Sequence, residues 1–470
     1  MLDRSAFSIL LFVILIIALP LGSNRAFAWS FIEILVGLSA CIFVFKQFRY
    51  SGNSNKLIQI ENTETLPISK WFYLGFVFTQ CLVILQLVPL PNDILSTIAP
   101  LSFDIWSSVN TSSKNTISVD IGQTQISLIK GLSYLVFIML LGFYINSEKR
   151  ILTLALTIFI AGVFQALYAS IENLLQLPTG LVFDIANSER ADGSFIYHNH
   201  LANYMLLTGS IGIGLLIGQF KQSTESRNKL KANFVATLEF FLSTKFLIRV
   251  GLITIIIALI LTRSRMGNAA FFFSLALVSL ISLFIYKKRP KQFTFLIISF
   301  FILDLIIVGT VFGVEKVQQR MAETSFASET RDDVNIDGLV MITDMPILGA
   351  GAGSFYTNFP QYQSYIYGGF YDFAHNEYLQ FMVEFGAIFV LVCALGIIYS
   401  LLISLNNMRY KNGSKLKALS FGCAIAIIAM LIHMTVDFTL QIPANTITFL
   451  AIVLLPLKIN TLLKRFNKQE

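Results

Sequence analysis

Charge is scarce: 13% of the 470 residues are Asp, Glu, Lys or Arg, against 55% hydrophobic and 13% aromatic. A chain of that make-up cannot cover its apolar surface as a water-soluble globule, so a soluble enzyme is excluded. Cysteine is scarce too. Cys41, Cys81, Cys393 and Cys423 each fall inside an apolar stretch, and none belongs to a CxxC or Cys/His cluster. That spacing excludes a disulfide framework and a zinc site and leaves them as small apolar residues. No Walker A loop occurs and no GxGxxG follows a strand, which removes the usual nucleotide cradles. Only four histidines are present, so the position of each one matters.

Long apolar runs are what the chain has in abundance. A hydrocarbon slab of roughly 30 Å and a helical rise of about 1.5 Å per residue ask for about 20 apolar residues per span. About twelve stretches meet that requirement, near 6–23, 27–45, 71–90, 127–146, 151–171, 201–220, 246–262, 268–286, 292–312, 376–403, 418–436 and 444–462. The expected fold is an all-α polytopic membrane protein with a long loop, 313–375, that contains short helices. Residues 1–150 form N-terminal transmembrane helices, 151–450 a membrane core that includes this loop, and 451–470 the end of the last helix with a tail. The "AFA" after the first stretch offers small residues to a signal peptidase. Arg25 beside it and eleven further spans make a retained first helix the simpler reading.

With the N-terminus in the cytoplasm, the inner segments 1–5, 46–70, 147–150, 221–249, 287–291, 404–417 and 458–470 carry 25 of the 34 Lys and Arg residues. That asymmetry follows the positive-inside rule at every inner loop, so the net charge of +7 is a topology signal and gives a nucleic-acid partner no support. The nine others are Arg25, Lys114, Lys130, Arg190, Arg263, Arg265, Lys316, Arg320 and Arg331. Six of these are arginine, whose planar fork grips phosphate or carboxylate in a bidentate way, so an anionic ligand is expected on the outer face. Solvated loop charge or headgroup contact is the alternative, above all for Arg25 and Arg320. The outer loops 91–126, 172–200, 263–267 and 313–375 also carry the least generic sequence. "LGAGAGSF" at 348–355 lacks the Lys-Ser/Thr of a phosphate loop and reads as a turn that brings backbone close to a neighbour, with a phosphate cradle as the other option.

Four pieces, in order, resemble the membrane-embedded superfamily of O-antigen ligases and O-antigen polymerases. They are "RADGSFIYHNHLANY" at 190–204, "SRMGNAAF" at 264–271, "RDDVNIDGLVMITDMPILGAGAGSF" leading to "HNEYLQFMVEFG" within 331–386, and "HMTVDFTLQIPANTITF" at 433–449. The resemblance spans roughly 150 to 450. It implies a bacterial inner-membrane glycosyltransferase with its active site facing the periplasm. Such an enzyme takes a glycan from an undecaprenyl diphosphate donor to a hydroxyl acceptor, lipid A core or another glycan, and uses neither metal nor other cofactor. In the family pattern, the arginines matching Arg190 and Arg265 bind the donor diphosphate and the loop histidine matching His375 is the base. Arg331 matches a further arginine ahead of the loop helix. The family more often has proline where this chain has His198 before Asn199, so the resemblance carries no role over to His198 or His200.

The residues themselves support the same chemistry. No ATP is available outside the inner membrane, so a transferase there needs an activated substrate, and a lipid diphosphate leaves with charge that arginines from separate loops are suited to stabilise. His375 falls at the start of the 376–403 span, where the positive helix end keeps an imidazole neutral and able to accept a proton. A plain helix cap is the structural alternative. Asn376 and Glu377 are candidates to orient the ring or to bind sugar hydroxyls. Glu377 and Glu384 share one helix face, and Glu384 reads more readily as an interior hydrogen bond than as a substrate contact. Asp304 and Glu33 read as interior polar anchors. His433 and Asp437, four apart, read as a helix-stabilising pair and not as a metal site.

Transport is the competing class, as a small-anion carrier, because twelve helices with both ends inside is a carrier plan. No internal repeat and no paired Gly/Pro-broken spans are evident, and the polar residues gather at one face and not at mid-membrane. A flippase would want charge along a central cavity. Within the transferases, a ligase is the leading reading and a polymerase the alternative.

Overall fold

The computed structural model describes residues 2–51, 66–109, 112–183, 185–186, 189–219, 243–285, 331–367 and 370–468. The protein is an all-α polytopic membrane protein, and ten helices among the described residues are long and apolar enough to cross a bilayer. Helices are the expected outcome for such runs, because lipid offers backbone N–H and C=O groups no partner and each must be satisfied within its own segment.

The crossing helices are α2 (Ala26–Ser51), α3 (Leu66–Leu87), α6 (Ile121–Tyr144), α7 (Glu148–Leu174), α8 (His198–Gly218), α9 (Thr244–Leu261), α10 (Arg265–Ile285), α13 (Glu377–Asn407), α14 (Ser414–His433) and α15 (Pro443–Lys468). Shorter helices are α1 (Leu2–Ile16), α4 (Asn92–Ile98), α5 (Pro100–Val109), α11 (Arg331–Asp344) and α12 (Phe355–Asn358). A two-residue antiparallel pairing of Leu90–Pro91 with Lys114–Asn115 closes the 91–115 loop. Eleven of the twelve apolar stretches are therefore helices. The twelfth, 292–312, lies outside the described residues together with Asp304, Lys316 and Arg320.

The first stretch is shorter than its hydropathy implies. The helix ends at Ile16, and Leu21, Gly22 and Ser23 take positive φ in the turn formed by "LPLGS". Leu10, Val13, Ile14 and Ile17 are fully buried, so this segment is part of the core.

At the centre, α8 packs on α14, and both are almost wholly buried. Small residues four apart on each helix, Ser210 and Gly214 facing Ala418 and Gly422, let the backbones touch. A Cβ on Gly214 would stand 2.9 Å from the Ala418 carbonyl oxygen. Close approach of this kind is how helices associate where no hydrophobic effect separates them from lipid. Helix α15 packs against α8, α13 and α14 and completes the frame.

Helix α13 is interrupted at Gly386, whose φ of 75° and ψ of 172° leave the helical region. The glycine-rich segment fills the break. The amides of Ala350 and Gly351 donate to the carbonyls of Val383 and Glu384 at 2.8 and 3.1 Å, and the Ala387 amide donates to the Pro346 carbonyl at 2.8 Å. Gln86 of α3 clamps the same place, donating to the carbonyls of Leu348 and Glu384 and accepting from the Ala352 amide. The Glu384 carboxylate takes Gln380 and the amides of Gly353 and Phe355. With the Gly349 amide on Met345 and the Ser354 amide on Gly351, every N–H from 349 to 355 is engaged by the chain. The turn reading of "LGAGAGSF" is therefore the one its geometry supports, since no amide from 349 to 355 is left for a phosphate.

Candidate active site

Four segments meet at one end of the bundle: residues 189–200, the start of α10, the start of α11, and the turn between α14 and α15 set against the start of α13. The 190s segment is tied down from several sides. The Ala191 amide donates to the Leu261 carbonyl at 3.1 Å, and the Ser194 hydroxyl contacts the Ala18 carbonyl at 2.6 Å and Gln165 Oε1 at 2.9 Å. Gly193, at φ +56°, lies so close to Ala169 that a side chain there would be crowded as well as strained. Exposed Arg190 is thereby held over the start of α8, where its Nη1 donates to His198 Nε2 at 2.8 Å. A guanidinium only donates, so that imidazole nitrogen accepts.

Arg331 opens α11 and donates from Nη2 to the Tyr197 hydroxyl at 3.2 Å. Helix α11 is fixed by a ladder of phenols on one of its faces: Tyr365 binds Asp333 at 2.5 Å, Tyr362 binds Asp344 at 2.6 Å, and Tyr367 binds Asp337. The aromatic loop 362–367 thus decides where Arg331 sits.

His375 precedes the N-cap of α13 and has φ +51°, a conformation that costs a residue other than glycine roughly 1–3 kcal/mol. Its Nδ1 is buried and lies 4.0 Å from Asp437 Oδ1, while the ring as a whole keeps 20% of its exposure. Burial, and after it the Arg331 charge, push the imidazole down to about 4, so it is neutral at neutral pH. Neutrality was expected from the helix end alone; burial and Arg331 supply it.

Helix α14 stops at His433, so Asp437 is not on its face. This corrects the reading of His433 and Asp437 as a helical pair: the i, i+4 rule holds only while the helix continues. His433 Nδ1 instead accepts from the Asn203 amide at 3.1 Å, and Asp437 turns toward His200 and His375. The Phe438 amide donates to Asp437 Oδ1 at 2.8 Å. Burial raises the Asp437 carboxyl to about 6, against the pull of the Phe438 amide, Asn199 and Arg331. Phe438 is the hub of an aromatic cluster. Its ring lies 4.8 Å from His200, 4.9 Å from His375 and 4.2 Å from Phe373, and it stacks parallel to Tyr197 at 6.5 Å.

The structure brings Arg190, Arg331 and His375 around this cluster. Burial raises the Tyr197 phenol, and both arginines oppose that shift. Arg265 opens α10 at the same end and is exposed, four residues after the Leu261 whose carbonyl anchors Ala191. Gly267, two residues further on, abuts Ala202 of α8. No hydrogen bond or ion pair joins the Arg265 side chain to the cluster among the described residues. Asn376 and Glu377 face the chain: Asn376 caps α13 through the Leu379 amide, and the buried Glu377 carboxylate accepts from the Leu440 amide at 2.8 Å and Gln441 at 3.1 Å. Among the described residues, no group of three or more His, Cys, Asp or Glu side chains is arranged to hold a metal ion.

Sequence reasoning did not single out Tyr197 or Phe438, gave His198 and His200 no role, and read Asp437 as half of a helical pair. One signal was present: all four histidines of the chain fall at span ends assigned to one face. His200 Nε2 lies 3.8 Å from Asp437 Oδ1, and His200 is within electrostatic reach of the other three histidines. Several buried atoms here have no hydrogen-bond partner, among them His200 Nε2, His375 Nδ1, His433 Nε2 and Asp437 Oδ2. A buried polar group left unpaired costs about 1–3 kcal/mol, which makes the cluster a candidate for function.

A family model described as O-antigen ligase matches residues 250–393. The match takes in Arg265, Arg331, His375 and the glycine-rich segment that fills the break in α13, and it stops short of Arg190, the α8 histidines and Asp437. No curated protein matches the chain. Residues 250–393, set within a bundle of apolar crossing helices, are thus similar to the O-antigen ligase family.

Proposed function

We infer that the protein is a bacterial inner-membrane glycosyltransferase, an O-antigen or polysaccharide ligase, that moves a glycan from undecaprenyl diphosphate to a hydroxyl acceptor on the periplasmic side. One observation carries this reading: a neutral, partly exposed His375 in one cluster with Arg331 and Arg190. In the reaction the acceptor hydroxyl gives its proton to His375 Nε2, and its oxygen bonds to the anomeric carbon. The bond from that carbon to the diphosphate oxygen breaks, and the lipid diphosphate leaves with the electron pair. Arg190, Arg265 and Arg331 hold the departing charge, each by a bidentate fork that lysine lacks. No metal takes part in this scheme. The ligase reading draws on the match to a ligase family and on a set of arginines sized for one diphosphate, since a polymerase must hold two.

The test is complementation of a deletion strain. His375→Ala is expected to lower transfer by about 10²–10⁴-fold, and Arg190→Lys, Arg265→Lys and Arg331→Lys to lose most of it, at unchanged protein level and with no effect of EDTA. Full-length polymer should then collect on the lipid carrier while the final acceptor stays bare. Single repeat units on the carrier would identify a polymerase instead. Full activity of His375→Ala would remove the base.

A further inference from the structure

The reaction above employs one histidine, yet a second is buried against the same carboxylate. His200 is the third residue of α8, with a side chain 4% exposed. Its Nε2 is 3.8 Å from Asp437 Oδ1, and His375 Nδ1 approaches the same oxygen at 4.0 Å from the opposite element. All three side chains hold buried polar atoms without partners: His200 Nε2, His375 Nδ1 and Asp437 Oδ2. Each gap exceeds a hydrogen bond by about 1 Å, a distance that small side-chain rotations close. Phe438 packs against both imidazoles at 77° to each ring plane, which restricts how far either ring can turn. The His200 carbonyl is anchored by Asn445 of α15 at 3.2 Å, which fixes the backbone that carries the ring.

We propose that His200 is a positioning residue for the transfer: by donating its Nε2–H to Asp437 it keeps that carboxylate ionised and aimed at the Nδ1–H of His375, leaving His375 Nε2 free to accept the acceptor's proton. The inference rests on the reading of His375 as the base. One proton moves, from the acceptor oxygen to His375 Nε2. The carboxylate stabilises the imidazolium that forms, and neither Asp437 nor His200 changes its proton count.

The groups that face this carboxylate come from every element around it. They are His200 and Asn199 of α8, Tyr197 ahead of α8, Arg331 of α11, His375 ahead of α13 and the Phe438 amide. His198 and His433 lie within electrostatic reach of His200. The catalytic pair works with the carboxyl ionised, above about 6, and the imidazole neutral, above about 4. The acid limb of the pH–rate profile therefore follows the carboxyl. Removing a donor to the ionised carboxylate raises its pKa, so loss of His200 moves that limb to higher pH.

The experiment measures transfer across roughly pH 5–9 by the full-length protein in proteoliposomes, with a lipid-diphosphate glycan and its acceptor, for wild type, His200→Leu, His200→Gln and His375→Ala. His200→Leu should lose about tenfold at neutral pH, shift the acid limb up by about one unit and recover partly in alkali. His200→Gln, which keeps an N–H donor, should retain the wild-type profile. If the leucine variant fails to accumulate, His200→Asn, whose shorter amide falls away from Asp437, should show the same upward shift. An unshifted limb in the leucine or asparagine variant, or equal loss in leucine and glutamine variants at every pH, overturns the role of His200. A His375→Ala protein that still transfers overturns the base itself, and this outcome is read from a different variant.

Discussion

Glu377 is buried at the entrance to α13 and binds the chain: its two carboxylate oxygens hold the Leu440 amide and the Gln441 side chain. These bonds, with the Glu377 amide on the Met434 carbonyl at 2.9 Å, pin the turn that carries Asp437 and Phe438 to the helix that carries His375. Glu377→Ala leaves buried partners unpaired and should cost about 1–3 kcal/mol. Glu377→Gln, which can still accept from the Leu440 amide, should cost less. Thermal unfolding of the detergent-solubilised variants checks the order, and equal melting of wild type and alanine variant would refute it. His375, Arg190, Arg265 and Arg331 came out of the sequence as candidates through the family resemblance and their place on the outer face, and the structure sets the first two and Arg331 around one cluster with Arg265 at the same end. Asp437 did not, because its spacing from His433 has meaning only if the helix continues, and the residues 434–438 that end it carry no glycine or proline to announce the stop.

The break in α13 is the element-scale feature that sequence hides. Residues 376–403 read as one apolar run, and a lone glycine within such a run is compatible with an unbroken helix. The glycine-rich segment was legible as a place of close backbone approach, but its partner was not, since the contact joins residues 346–352 to residues 383–388 through carbonyls and amides that any residue possesses. Gly386→Ala should be severely destabilising. The φ of +75° costs an alanine roughly 1–3 kcal/mol, and its Cβ would strike the Ile347 carbonyl oxygen. The expected result is a protein that does not accumulate in membranes, measured by immunoblot. Normal accumulation and activity would show that the break is not required.

Across the whole molecule, the starts of α8, α10 and α13 lie at the site end, and the turn at 409–413 with Arg409 and Lys411 lies at the other. Combined with the basic loops, this arrangement predicts a periplasmic site and cytoplasmic termini. In a cysteine-free background, a membrane-impermeant thiol reagent added to intact cells should label cysteine placed at exposed Asp372 and not at exposed Lys411. The reverse pattern would invert the topology and place the site away from any periplasmic acceptor. The gathering of all four histidines at this end has a practical consequence for observing the protein at work. Isotope-labelled histidine gives a magnetic-resonance spectrum whose every imidazole signal comes from the site, so substrate arrival and proton movement stand against no background from the rest of the 470 residues.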